Sequence, residues 1–216
     1  MNGGITGIVL AGGRSQRFGA DKLAASIDGV PVLERAVGAL AGIATEVLVA
    51  GPAGPANPGP EIAGVSIRLV DDPEPFGGPL QALAGALASA SSEIAVVVAG
   101  DMPTLVPSVL ALLVETLEAS AADAVVLADP DDPARRQPVP LAIRVGPARA
   151  AAALALEAGD RSLVRLLGRL IVLELPSERW LAIDPEARSL VDIDLPEDLP
   201  RARDVARDQR TAQRKR

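Results

Sequence analysis

Short runs of valine, isoleucine and leucine return along the chain at intervals that a helix can fill. That alternation limits the fold more than any other feature. Strand-length runs lie at 5–10, 46–50, 65–70, 94–99, 124–128, 139–145 and 170–175. They do not alternate cleanly between apolar and polar residues, which marks strands covered on both faces. Helical patterns fill the gaps at 31–40, 79–90, 107–120, 147–158 and 162–168. Proline opens four of these five, and its fixed φ and missing N–H suit a first helical turn. Strand and helix in alternation predict an α/β fold with a mostly parallel central sheet. No internal repeat is visible. "GPAGPANPGP" at 51–60 reads as a surface loop. Residues 1–205 read as a single domain, and 206–216 as a basic, frayed and solvated tail.

Composition removes several kinds of chemistry. Cysteine and histidine are both absent. Disulfides, thiol nucleophiles, Ser-His-Asp machinery and zinc held by thiolate or imidazole are therefore excluded. Tyrosine is absent too, and Phe18, Phe76 and Trp180 are the only aromatics. A stacking platform for nucleic acid is not expected. The net charge of −7 is uneven. Residues 201–216 carry seven Lys/Arg and two Asp, a net +5, which leaves −12 on the rest. No apolar run approaches the ~18 residues of a membrane span, and "MNGGITG" lacks the features of a secretion signal. The expectation is a soluble cytoplasmic protein that binds neither membrane nor nucleic acid.

"LAGGRSQRFGADK", residues 10–22, follows the first predicted strand. In open α/β sheets, ligands bind at the carboxyl ends of strands. Gly12, Gly13 and Gly19 let backbone N–H groups approach an oxyanion closely. Arg14, Arg17 and Lys22 add cations, so the stretch reads as a phosphate grip. It is not a Walker A loop, because no glycine here is followed directly by lysine, and it does not fit G-x-G-x-x-G.

Three later stretches add polar groups at predicted strand ends. In "VVVAGDMPTL", 96–105, Asp101 either caps the next helix or binds a cation. Mg²⁺ prefers one or two carboxylates together with phosphate oxygens. In "LVDDPEPFGGPLQAL", 69–83, Asp71 and Asp72 end a strand, and Gly77 and Gly78 lead into a helix. This is turn chemistry, or polar contact to a base or ribose. In "LVDIDLPEDL", 190–199, Asp192 and Asp194 alternate on one face of an expected strand and repel unless a cation or donors lie between them. "LPEDL" reads as a helix start, which accounts for Glu197 and Asp198.

Together these stretches resemble the MobA-like NTP transferase family, and within it the molybdenum cofactor guanylyltransferase branch. "LAGGRSQRFGADK" is similar to its signature L-A-G-G-x-S-x-R-[MF]-G-x-D-K. "GGPLQAL", "GDMPTL" and "DIDLPEDL" follow in order, so the resemblance spans roughly residues 5–205. It implies a three-layer Rossmann-like nucleotidyltransferase fold. The implied reaction is transfer of GMP from GTP to the phosphate of molybdopterin, with pyrophosphate released and molybdoenzyme maturation partners downstream. Leu10, Ala11, Gly12 and Gly13 would lie along the guanine, and Asp71 would contact the nucleoside. Lys22 and Arg17 would contact phosphates, and Asp101 would bind Mg²⁺. Arg135, Arg136, Gln137 and Arg161, with Asp192 and Asp194, would meet the acceptor.

The chain departs from the family pattern at two positions. Ala50 stands where many members carry Asn, and Leu195 replaces a common Thr. An acceptor phosphate is already an anionic nucleophile and needs no general base, which agrees with a chain lacking His and Cys. The alternatives are a transferase using CTP or another phosphorylated acceptor, and a non-catalytic nucleotide-binding protein that delivers a cofactor.

Overall fold

The computed structural model describes residues 4–12, 18, 21–51, 57–71, 77–132 and 136–204. Gly13, Arg14, Arg17, Gly19, Asp72, Phe76, Arg135 and the tail 206–216 lie outside them. The strands are β1 (Ile5–Leu10), β2 (Ser26–Ile27), β3 (Val30–Pro31), β4 (Glu46–Ala50), β5 (Glu61–Ile62), β6 (Val65–Val70), β7 (Ile94–Ala99), β8 (Ala124–Ala128), β9 (Arg136–Arg144) and β10 (Val172–Leu175). The α-helices are α1 (Val32–Ala41), α2 (Pro79–Ser89), α3 (Pro107–Glu118), α4 (Val145–Glu157), α5 (Leu163–Leu167) and α6 (Ser177–Leu181).

Eight strands form one sheet in the order β10-β8-β9-β7-β1-β4-β6-β5. β1 pairs in parallel with both β4 and β7, β4 with β6, and β10 with β8. β9 runs antiparallel between β7 and β8, and β5 antiparallel to β6. The two faces are covered differently. Leu33, Val37 and Leu40 of α1 pack with Val109, Leu110 and Leu113 of α3 on one face, together with Trp180. Leu80, Leu83 and Leu87 of α2 pack with Ala148 and Ala152 of α4 and Leu166 of α5 on the other. The result is the expected three-layer α/β arrangement. It explains why the central runs show no polar alternation: Ile8, Val9, Val96, Val97 and Val98 are all fully buried.

Pro79 and Pro107 do open helices, but Pro31 is the residue before α1, and α4 begins two residues ahead of Pro147. Proline is tolerated there because a first-turn N–H has no intrahelical partner to lose. Residues 191–194 are a correction, since they form no strand. Their backbone bonds go elsewhere. Ile193 N–H donates to the Asp101 carbonyl at 3.0 Å, and the N–H groups of Asp194 and Leu195 donate to Asp198 Oδ2 at 2.9 and 2.7 Å. Alternation survives without a ladder, because Ile193 is buried while Asp192 and Asp194 face outward.

At the amino ends of the strands, Glu46 opens β4. Its Oε1 accepts from Thr6 Oγ1 at 2.9 Å and from the Ser91 amide and hydroxyl at 2.9 and 2.6 Å, and its Oε2 accepts from Arg68 Nη2 at 2.8 Å. Burial alone would raise its pKa. The hydrogen bonds from Ser91, Arg68 and Thr6 win, and the carboxyl is lowered to about 2.

Candidate functional site

The chain leaves β1 to form β4 and β6 on one side, then returns to form β7 on the other side. The carboxyl end of β1 is therefore a point where strand order reverses, and such points open crevices for ligands. Two backbone bonds fix the start of the loop there: Ala11 N–H donates to the Ala50 carbonyl at 2.8 Å, and Gly100 N–H to the Leu10 carbonyl at 2.9 Å. Two glycines outside the signature allow this closeness. A Cβ on Gly51 would meet the Ala11 backbone at 2.8 Å, and one on Gly100 would meet Leu33 Cδ1 at 3.0 Å and the Leu10 carbonyl at 3.3 Å. Leu10 and Ala11 are nearly buried. Gly12 is exposed, and a Cβ there would find nothing within 4 Å.

Lys22 begins a 3-10 turn, Lys22–Ala24, whose cap is Asp21; the Leu23 amide donates to Asp21 Oδ1 at 3.0 Å. Leu23 packs against the main core, which fixes the turn. Lys22 Nζ then donates to Asp101 Oδ2 at 2.6 Å and to Asp194 Oδ1 at 3.2 Å. Asp194 reaches it because Ile193 is buried in a small cluster with Ile27, Val32 and Ala202. Phe18 packs on that same cluster, so it serves packing.

The two readings of Asp101 can now be separated. The residue before α3 is Val106, with no side-chain cap, so Asp101 is not a helix cap. Its carboxylate faces Lys22 and is one-fifth exposed. Burial by itself would lower the Lys22 pKa, but the hydrogen bonds and charges of Asp101 and Asp194 outweigh it and the pKa is raised, so Lys22 stays an ammonium. Asp192 is exposed by surface area, yet protein crowds its carboxyl. That desolvation, together with the charges of Asp101 and Asp194, raises its pKa. Three carboxylates thus share one close ammonium.

Among the described residues no three acidic groups gather as a ready metal cage. A single partly open carboxylate suits Mg²⁺, which keeps water and takes phosphate oxygens as its other ligands. Asp101 fits that role, and the donor set fits no transition metal that demands imidazole or thiolate.

The other proposed contacts are distributed along the same edge. Asp71 is exposed just past β6. Gln137 starts β9 near the Asp101 end of the sheet, where its Nε2 donates to Asp129 Oδ2 at 2.8 Å. Arg161 precedes α5, and its carbonyl accepts from the Leu80 amide at 3.2 Å. A Cβ on Gly78 would lie 3.1 Å from that same carbonyl. The Gly77–Gly78 turn is thereby packed on Arg161, while the Arg161 side chain is exposed. The described residues thus bring Lys22, Asp101 and Asp194 into direct contact, with Asp192 in electrostatic range. Sequence reasoning missed Gly51, Gly100 and the turn-setting role of Asp198. An acidic residue three positions after Leu195 was the available signal for the last.

The strand-order reversal, with Gly12 at the end of β1 and the Lys22–Asp101 pair beside it, belongs to an open α/β protein whose ligand end is the carboxyl edge of the sheet. The model of the MobA-like NTP transferase domain matches residues 7–173, and the chain belongs to that family. A probable molybdenum cofactor guanylyltransferase from Chloroflexus aggregans is 35% identical over 90% of this chain and 91% of its own length. One from Natronomonas pharaonis is 32% identical over 92% of this chain and 96% of its own length. The crystal structure of molybdopterin-guanine dinucleotide biosynthesis protein A from Archaeoglobus fulgidus superposes with a TM-score of 0.74. It is 22% identical and covers 94% of this chain and 99% of its own, a likeness of fold.

Proposed function

We propose that this chain transfers GMP from GTP to the phosphate of molybdopterin. The observation that carries this reading is the Lys22–Asp101 pair at the reversal point beside the glycine loop. The names of the full-length relatives supply the substrates. An acceptor phosphate oxygen attacks the α-phosphorus of GTP. The bond from that phosphorus to the β-phosphate oxygen breaks, and pyrophosphate leaves with the electron pair. No proton has to be removed from the nucleophile, so the protein's work is alignment and charge compensation.

The backbone of Leu10, Ala11, Gly12 and Gly13 lines the base, and Asp71 faces the nucleoside. Lys22, with Arg17, neutralises charge on the phosphates. Asp101 would hold Mg²⁺, which would offset charge on the α-phosphate and leaving group. Arg135, Gln137, Arg161 and Asp192 lie toward the acceptor. We assign residues 1–205 to one nucleotidyltransferase unit, acting in the cytoplasm upstream of molybdoenzyme maturation partners.

Base choice tests the reading. Guanine offers N1–H and N2–H₂ donors on one edge, and adenine leaves the same acceptors unpaired at about 1–3 kcal/mol per buried group. With GTP, ATP and CTP competing at equal concentration for molybdopterin, GTP is expected to lead in kcat/KM by about tenfold or more, as the loss of one such bond implies. A preference for CTP would move the chain to a cytidylyl reaction.

A further inference from the structure

Asp194 and Lys22 are separated by 172 residues, yet they touch. We infer that Asp194 is a positioning residue for the Lys22 ammonium rather than a contact for the acceptor, an inference that rests on the guanylyl-transfer reading above. Lys22 is a flexible side chain only 15% exposed, and its Nζ needs fixed partners where it sits. Asp101 alone sets a distance. Asp101 just past β7 and Asp194 in the 191–194 segment, on distant parts of the chain, together set a position. A carboxylate that also serves a cation cannot hold the ammonium by itself, and the second contact keeps Lys22 aimed at the phosphates.

The surroundings of Asp194 are built for this. Its own N–H and that of Leu195 are both tied to Asp198 Oδ2. The preceding residue, Ile193, is fully buried and bonds to the backbone of Asp101 itself. The backbones that carry the two carboxylates are thus tied to each other one residue away from the contact. Asp194 is 61% exposed, so its removal leaves the core intact.

The chain has two lysines, Lys22 and Lys215, which makes the contact readable without any substrate. Acetylation by a soluble activated ester, followed by peptide mass spectrometry, gives the reactivity of Lys22 relative to Lys215. Asp194→Ala is expected to raise that ratio about threefold or more, and to lower kcat about fivefold with the KM for molybdopterin unchanged, as loss of one half-exposed ion pair implies. In a Lys22→Met background the same substitution is expected to cost nothing further in kcat. An unchanged labelling ratio, a raised acceptor KM, or a loss that persists undiminished without Lys22 would each overturn the assignment. Wild-type protein inactive with GTP would instead mark failure of the functional reading, since labelling does not depend on it.

Discussion

The two edges of the sheet carry carboxylates that live under opposite rules. At the amino ends, Glu46 gathers donors from Thr6, Ser91 and Arg68, and both of its oxygens are engaged. At the carboxyl edge, Asp101 and Asp194 hold the Lys22 ammonium and Asp192 lies in their field; burial first, and then those two negative charges, raise its pKa. The first arrangement lowers the energy of the folded chain as it stands. The second is complete only when more positive charge or a ligand's donors arrive. The difference lies in the donors each carboxylate meets, three residues for Glu46 and one shared ammonium for Asp101 and Asp194.

Substitutions at the two ends should separate turnover from stability. Asp101→Asn keeps the shape and removes the charge, and turnover should fall about 10²-fold or more, with the melting temperature little changed. Steady-state pyrophosphate release and thermal unfolding measure the two quantities, and near-normal turnover would take Asp101 out of the reaction.

Glu46→Ala should do the reverse. It removes the shared acceptor of Thr6, Ser91 and Arg68, of which only Thr6 is buried, so stability should fall by about 1–2 kcal/mol while kcat stays within about twofold. The sign with pH follows from the lowered pKa. The Glu46 contribution is full above the ordinary value of 4.5 and is lost as pH falls toward about 2. Denaturant melts at pH 7 and pH 3 should therefore differ less in Glu46→Ala than in the wild type.

The smallest effect is the most telling for the comparison. The pKa of Asp192 is raised, so its charged form costs stability above that pKa and its protonated form does not. Asp192→Asn should raise the melting temperature slightly at pH 7, with the gain shrinking as pH drops through the raised pKa. A lower melting temperature at pH 7 would mean the carboxylate is stabilised by its neighbours and would dissolve the contrast.

How far the sequence carried depended on range. Strands at 5–10, 46–50, 94–99 and 124–128 could be read residue by residue, because burial on both faces demands continuous apolar runs, whereas β6 at 65–70, with only Ile67 buried, stood out by its β-branched residues. β9 starts at Arg136 rather than at 139, since Pro138 and Pro140 break the strand pattern within it. The two-residue strands β2, β3 and β5 and the short helix α6 escaped notice because elements so brief have no period to detect. Lys22 and Asp101 stood out by residue type at strand ends, but a sequence gives no distance between them. The segment 191–194 was misread as a strand, since alternation records which side chains are buried and not where the backbone bonds go.

The clamp on Ala11 and Leu10 has a mechanical consequence. Their backbone is held from both sides, by Ala50 and by Gly100, while the next residue, Gly12, stands in the open. A ligand resting on this backbone meets a surface that is fixed in advance by two neighbouring strand ends, so little of its binding free energy is spent on ordering Leu10 and Ala11.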